Sequence, residues 1–396
     1  MTDTNKTLAS TFDFHGEALD NIFETYKELR EKCPVGHSDK YGGFWFLTKS
    51  DDIFKVEQDP ETYSVKPTML VPPVADFPMI PIDTDLPELA EYRRILLPLF
   101  TPQALAKQEG PVRDVARDLA TKFAASDSTD ATAMFARPLP TIFFSRLAGF
   151  PEKDWPKFDA WVDDILYRRT QEPERAKTAS REVWSYFDNL IEEYKGRTTP
   201  EADTGTIMDY LLEARINGQP LTKDELLSYC YLMFLGGLDT TAWAIRASLW
   251  YLAQNLEAQR YLRENPEAVP AAAEEFLRTM APVQAMGRTC KVDTTIRGQE
   301  IKSGERVVLL FGAGNRDPEV YDHPDEIQID RKHNKHLAFG AGHHRCLGSN
   351  LGRREVVIAL EEFLLIVPEF TLGDPSEVWH GVGRLTLNVK KEGEPS

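Results

Sequence analysis

The longest hydrophobic pattern in the chain begins at Thr222. Thr222 followed by Glu225 reads as a capping box, and no proline interrupts the roughly 30 residues that come after, so the spacing predicts one long helix ending near Asn255. Residues 229–235 are apolar all round, which puts that part of the helix inside a core. Helical spacing also marks residues 22–31 and 51–58, a segment opened by Pro87, and then 112–125, 138–147, 155–167 and 175–194 in succession. Leu347, Leu351, Val356, Leu360, Phe363 and Leu364 give a further amphipathic helix. Strand-like patterns are short: 44–48, a hairpin over 296–304 leading into 307–311, and 384–389. These patterns predict a mainly α protein with a small β region.

Residues 63–87 hold six prolines and almost no periodicity. A loop of that length is commonly functional or disordered, and Met69, Leu70, Val71, Val74, Phe77, Met79 and Ile80 make this one too apolar for disorder. Residues 1–20 read as a loosely ordered arm, 196–205 as a polar linker and 379–382 as a turn. No repeat or low-complexity tract divides the chain, so 21–396 is expected to form a single domain.

Composition then narrows the class. Of 396 residues, 42% are hydrophobic and 28% charged, which is ordinary for a globular protein with a large core. A net charge of −17 argues against nucleic acid or an anionic membrane as a general partner. Cys33, Cys230, Cys290 and Cys346 lack paired spacing, which suits a reducing cytoplasm better than a disulfide framework. The N-terminus has neither the basic start nor the apolar core of a signal peptide, and no run of about 18 apolar residues occurs. A soluble, cytoplasmic protein without a membrane anchor is expected.

Two stretches carry chemistry. In Phe339-Gly-Ala-Gly-His-His-Arg-Cys-Leu-Gly348, a single cysteine stands between glycines, after cationic side chains and before a helix. That setting favours a thiolate, and Gly340, Gly342 and Gly348 allow left-handed backbone and close approach of a flat body. Thiolate is among the few protein ligands that hold heme iron axially. A zinc site built from His333, His336, His343, His344 and Cys346 is the competing reading, although no Cys-x-x-Cys pair supports it. The second stretch is Gly236-Gly-Leu-Asp-Thr-Thr241, in the middle of the long helix. Two glycines there cost roughly 1 kcal/mol each against alanine, and a buried aspartate needs a partner. Gly236 and Gly237 would let a flat ligand lie on the helix, Thr240 can turn its hydroxyl back to the Gly236 carbonyl, and Asp239 can relay protons.

The cysteine stretch resembles the heme-binding signature of the cytochrome P450 monooxygenases, and Gly237, Asp239 and Thr240 fall on that family's oxygen-activation motif. The resemblance runs from about Phe44 to Val389. It implies the P450 fold, with heme b between the long central helix and the cysteine loop and Cys346 as the iron ligand. It further implies cofactor contacts from Gly237, Phe339 and Gly342, and propionate contacts from Arg93, Arg288 and His344. Leu89 departs from the family pattern, which has a histidine there. Glu275, Arg278 and Arg331 match a structural trio behind the heme, and Phe77, Leu232, Leu235, Gly236 and Gln284 fall where the family contacts substrate. The turn at 379–382 is expected to reach the same pocket.

For function, the resemblance implies insertion of one oxygen atom from O2 into a C–H bond of a small apolar substrate. Asp239 and Thr240 would deliver protons, and a ferredoxin with its NAD(P)H-dependent reductase would supply electrons. Lys335, His343, Arg345, Arg353 and Arg354 would form a basic docking patch. The Gly-Gly-Leu-Asp-Thr form is similar to that of the terpene-oxidising members such as the camphor hydroxylase, so a terpenoid is the first expectation and a small aromatic compound the second. A peroxide-using heme enzyme and a non-catalytic heme-thiolate sensor or carrier are the rivals; the first would not need Asp239 and Thr240.

Overall fold

The computed structural model describes residues 8–15, 21–126, 129–196, 205–377 and 383–390. The expected turn at 379–382 and most of the linker at 196–205 lie outside the described residues. Helices succeed one another as α1 Ile22–Lys32, α2 Ser50–Gln58, α3 Glu88–Leu96, α4 Pro102–Ala124, α5 Pro138–Ala148, α6 Trp155–Val162, α7 Pro173–Lys195 and α8 Ile207–Glu213. After them come α9 Lys223–Gln254, α10 Leu256–Glu264, α11 Val269–Met280 and α12 Ser349–Ile366. The 112–125 helix expected from spacing begins a good two turns earlier, at Pro102, and carries Pro111 in its interior. Proline suits a first turn, and the Thr101 hydroxyl caps this one by accepting from Ala104 N–H.

α9 runs unbroken through the core from the Thr222 and Glu225 capping box. Its middle is buried on most sides, and α12 and α5 pack along it. The short strands form one mixed sheet beside this helical body. β1 (Val35–Ser38) pairs antiparallel with β2 (Phe44–Leu47), which lies parallel to Val307–Leu309 in the strand Arg306–Leu310. That strand in turn pairs antiparallel with Ala285–Cys290, and Tyr63–Ser64 closes the edge. The hairpin expected at 296–304 is present, pairing Thr294–Ile296 with Gln299–Ile301, and Arg297 and Gly298 between them both take positive φ (47° and 80°). Such a two-residue turn matches the twist of the strands it joins.

The N-terminal arm is not loose where it is described. Phe12 and Phe14 are each 4% exposed and pack with Tyr26, Phe44 and Phe46 over α1 and the sheet. Two aromatic rings have more apolar area to bury than a free arm can leave in water. Among the described residues no helix is long and apolar enough to cross a membrane, and Cys230, Cys290 and Cys346 are free thiols.

Candidate active site

Cys346 comes after a single 3-10 turn, Gly342–His344, and precedes α12. Its N–H donates to the Phe339 carbonyl at 2.8 Å, which folds the loop on itself. Gly340 and Gly342 take φ of +64° and +65°, and a Cβ on Gly342 would stand 2.2 Å from the Glu57 carbonyl oxygen. Only glycine fits there. Gly348 differs from the expectation: its φ is −79° and a Cβ would meet only ordinary contacts. The Phe339 ring lies under the loop with the Arg353 guanidinium 4.3 Å from its centroid.

The sulfur's surroundings also depart from the expected ready thiolate. Burial pushes the Cys346 thiol up, and the Gly348 N–H with Arg93, Arg353 and Arg345 offsets only part of this. Cys346 is nevertheless exposed by surface area. A thiol both enclosed by chain and open at its surface lines a cleft, so its protonation is set by enclosure rather than by bulk water.

α9 borders the same region. Thr241 Oγ1 lies 3.6 Å from where a Cβ on Gly352 would stand, so the middle of α9 rests on the first turns of α12. Gly236 is exposed there while Phe234, Leu235 and Leu238 are buried, and a Cβ on it would meet nothing within 4 Å. The Thr240 hydroxyl donates back to the Gly236 carbonyl at 3.2 Å. At Gly237 a Cβ would strike the Phe144 ring at 2.5 Å, so this glycine serves the packing of α9 on α5.

Asp239 turns to another side of the helix. The Tyr167 hydroxyl donates to its two carboxylate oxygens at 2.9 and 2.7 Å, and burial pushes the carboxyl up to about 6 against the pull of Tyr167 and Arg137. Asp239 borders a cavity of about 10 Å³ with Arg137, Thr141 and Asp159, room for a single water. Tyr167 was not singled out in the sequence, because a tyrosine at a helix end carries no pattern of its own.

Three further residues gather beside the cysteine loop. Arg93 donates to the Arg345 carbonyl at 2.8 Å. Arg288 is buried and donates to Glu57 at 2.9 Å. Burial, Arg288 and Arg93, in that order, push His344 down to about 3. Glu57, at the end of α2, looks in the sequence like an ordinary helix glutamate and was missed; burial lifts it to about 7 despite Arg288 and the Ala341 N–H. Leu89 is 1% exposed, so the position where the family has a histidine supplies packing and no polar donor. A cluster of two guanidiniums and an imidazole with one carboxylate is short of negative charge, and heme b brings two propionates. With a lone cleft-facing thiol beside it, the donor set fits that cofactor.

The zinc reading fails: among the described residues no three metal-binding side chains converge, and His336 is engaged with Glu274 instead. Of the expected substrate contacts, Phe77 lies against Trp184 and Tyr231, with ring centroids 3.9 and 4.8 Å away. Leu232 is half-buried, whereas Leu235, at 6% exposure, belongs to the core. The Gln284 amide nitrogen donates to the Met280 and Ala281 carbonyls at the end of α11. The basic patch is also smaller than expected, since Arg353 pairs with Glu274 and Arg354 with Glu109.

The fold and this loop define a heme-thiolate oxygenase. Residues 79–372 match the family model of cytochrome P450, and the chain belongs to that family. It is 31% identical over 354 residues to the putative cytochrome P450 YjiB of Bacillus subtilis, covering 87% of each chain. It is likewise 31% identical to the mycinamicin IV hydroxylase/epoxidase of Micromonospora griseorubida, covering 92% of this chain and 91% of that one. The crystal structure of CYP109E1 from Bacillus megaterium in complex with corticosterone superposes with a TM-score of 0.78 at 30% identity, covering 95% and 98%. The protein is thus a P450 monooxygenase, an oxidoreductase whose family cofactor is heme b.

Proposed function

We propose that this monooxygenase hydroxylates a C–H bond of a small, largely apolar substrate, a terpenoid first and a small aromatic compound second, with electrons from a ferredoxin and its NAD(P)H-dependent reductase. The observation that carries the reading is the pairing of an open Cys346 with Gly236, exposed in the otherwise largely buried middle of α9, and with the half-buried Thr240 beside it. Heme b, when bound, supplies the reductive activation of dioxygen. The chain's residues supply the rest. Cys346 would hold the iron, and Arg93, Arg288 and His344 would hold the propionates. Gly236 keeps one face of α9 free of side chain, and Thr240 places a hydroxyl at its edge. Asp239, near neutrality and next to a water-sized cavity, can take a proton from solvent and pass it toward Thr240. Phe77, Leu232 and the apolar loop before α3 exclude water from the pocket. Lys335, His343 and Arg345 remain exposed around the cysteine loop and suit an acidic electron donor.

Support for a terpenoid is the Gly-Gly-Leu-Asp-Thr form of the α9 motif; likeness to a structure in complex with corticosterone and to a mycinamicin IV hydroxylase/epoxidase widens the set to be screened. The first test is the difference spectrum of the dithionite-reduced protein with carbon monoxide. A Soret band at the position of a thiolate-ligated ferrous complex is expected, and Cys346→Ala should abolish it. Folded, heme-supplied protein without heme absorbance would sink the proposal. Terpenoids and aromatics are then ranked by the spin-state shift they induce.

A further inference from the structure

Two adjacent arginines come after Tyr167, and the chain treats them in opposite ways. Arg168 faces acids on both sides, Asp164 at 3.5 Å and Glu172 at 3.0 Å. Arg169 has no carboxylate within 4 Å among the described residues, and its buried Nε has no hydrogen-bond partner. Its other polar neighbour is His15, whose Nε2 stands 3.2 Å from an Arg169 terminal nitrogen. The same Nε2 lies 2.6 Å from the Val71 carbonyl oxygen. A carbonyl only accepts, so Nε2 must carry the proton and donate to Val71; it then has nothing to offer a guanidinium. The carboxylates that its tyrosine neighbours reach, Asp13 through Tyr41 and Asp239 through Tyr167, make no ion pair with Arg169. Burial lowers Arg169 only to about 10, so it remains a cation at neutral pH. An enclosed cation whose Nε is buried and unpartnered, and which has no counter-ion, is costly even where part of its side chain stays accessible.

The place of this cation says what it is for. Tyr41, Tyr167 and Tyr231 are the phenols close enough to act on its charge. Tyr231 lies on α9 five residues before the exposed Gly236, about 7.5 Å along the helix. Phe77 packs on Tyr231, and Val71, held by His15, belongs to the same apolar loop. Arg169 therefore stands where the N-terminal segment, that loop, the chain entering α7 and α9 meet, one to two turns of α9 before Gly236.

We propose that Arg169 anchors the carboxylate of an amphipathic substrate whose apolar body extends along α9 toward the Cys346 cleft. The planar guanidinium fork takes a carboxylate in two parallel hydrogen bonds, which supplies the missing counter-charge and fixes which end of the substrate points inward. This rests on the monooxygenase reading and narrows its substrate from simply apolar to an apolar acid.

The test uses the heme-loaded enzyme, shown to be intact by its carbon monoxide spectrum, so that failure of the cofactor assignment is seen separately. Spin-state titrations compare a terpenoid carboxylic acid, a phenylalkanoic acid and dodecanoic acid, each with its methyl ester. At least one acid should bind about tenfold tighter than its ester. That preference should fall to about one in Arg169→Gln and survive in part in Arg169→Lys, with the carbon monoxide band and melting temperature recorded for both. Equal affinity for acid and ester throughout the series in the wild-type enzyme, or no binding by any acid, overturns the proposal without need of a variant. So does a preference that survives Arg169→Gln.

Discussion

Asp239 sits between a phenol that holds it and a depth that disfavours its charge. Burial raises its carboxyl to about 6. A carboxyl raised on folding binds more protons in the native state than in the unfolded chain, so its contribution to stability declines as pH rises from about 4 through 6. Asp239→Asn keeps an acceptor for the Tyr167 hydroxyl and removes the charge. We expect this variant to melt above the wild type at pH 8, with the gap closing as pH falls toward 4. Turnover should drop by at least about tenfold, because the amide has no acid proton to pass at these pH values. Melting curves at both ends of that range, beside steady-state turnover, check the two halves; full activity would remove Asp239 from the proton path. At this scale the sequence was informative where chemistry is local. The Thr240 back-bond and the need for glycine at 342 arise from neighbours in the chain or from backbone limits. The partners Tyr167, Glu57 and Phe144 come from 72, 231 and 93 residues away or thereabouts, and no spacing announces them.

α9 shows how one element serves two masters through adjacent glycines. Gly236 faces open space, whereas Gly237 faces Phe144 of α5. Alanine is favoured over glycine in a helix by roughly 1 kcal/mol, so Gly236→Ala should raise the melting temperature. Gly237→Ala must push a ring or a helix aside and should cost about 1–3 kcal/mol. Thermal unfolding of the two variants should therefore move in opposite directions. Activity should fall in both: in the first because a methyl group narrows the open face, in the second because α9 shifts on α5. Two stabilised variants, or two destabilised ones, would contradict the assignment of faces. The helix itself was legible, since its cap, its proline-free length and its apolar middle agree. Its faces were not: both glycines read alike in a segment apolar all round, and only the packing of α5 separates them. The same limit applies to α4, where Pro111 interrupts the pattern but not the helix.

Across the whole molecule, one buried ionic network ties the helical body to the chain that leads into the cysteine loop. Glu275 and Arg278 on α11 are 0% exposed. Arg278 donates to Glu275 and to the carbonyls of Asn315, Pro324 and Glu326. Arg331 and the Gln328 N–H donate to the same carboxylate. Burial alone would raise Glu275, but Arg278, Gln328 and Arg331 outweigh it and hold the carboxyl below its ordinary range. A carboxyl depressed on folding stabilises the native state above its unfolded pKa, and that contribution is lost as pH falls through the lower, folded value. Removing one partner of a buried pair leaves the others charged and unpaired, at about 3–5 kcal/mol. Glu275→Gln should therefore melt far below the wild type at pH 7, and the difference should shrink only as pH falls from about 4, where the unfolded chain takes up the proton, toward the lower value at which the native carboxyl is itself protonated. Because the bonds of Arg278 fix the segment from Asn315 to Glu326, and that segment leads directly to Phe339 and Cys346, the variant should also lose heme retention on dilution, although it alters no residue of the cysteine loop. Normal heme retention in a strongly destabilised Glu275→Gln would mean that the loop is positioned independently of the network, by the Gly342 and Glu57 contact alone.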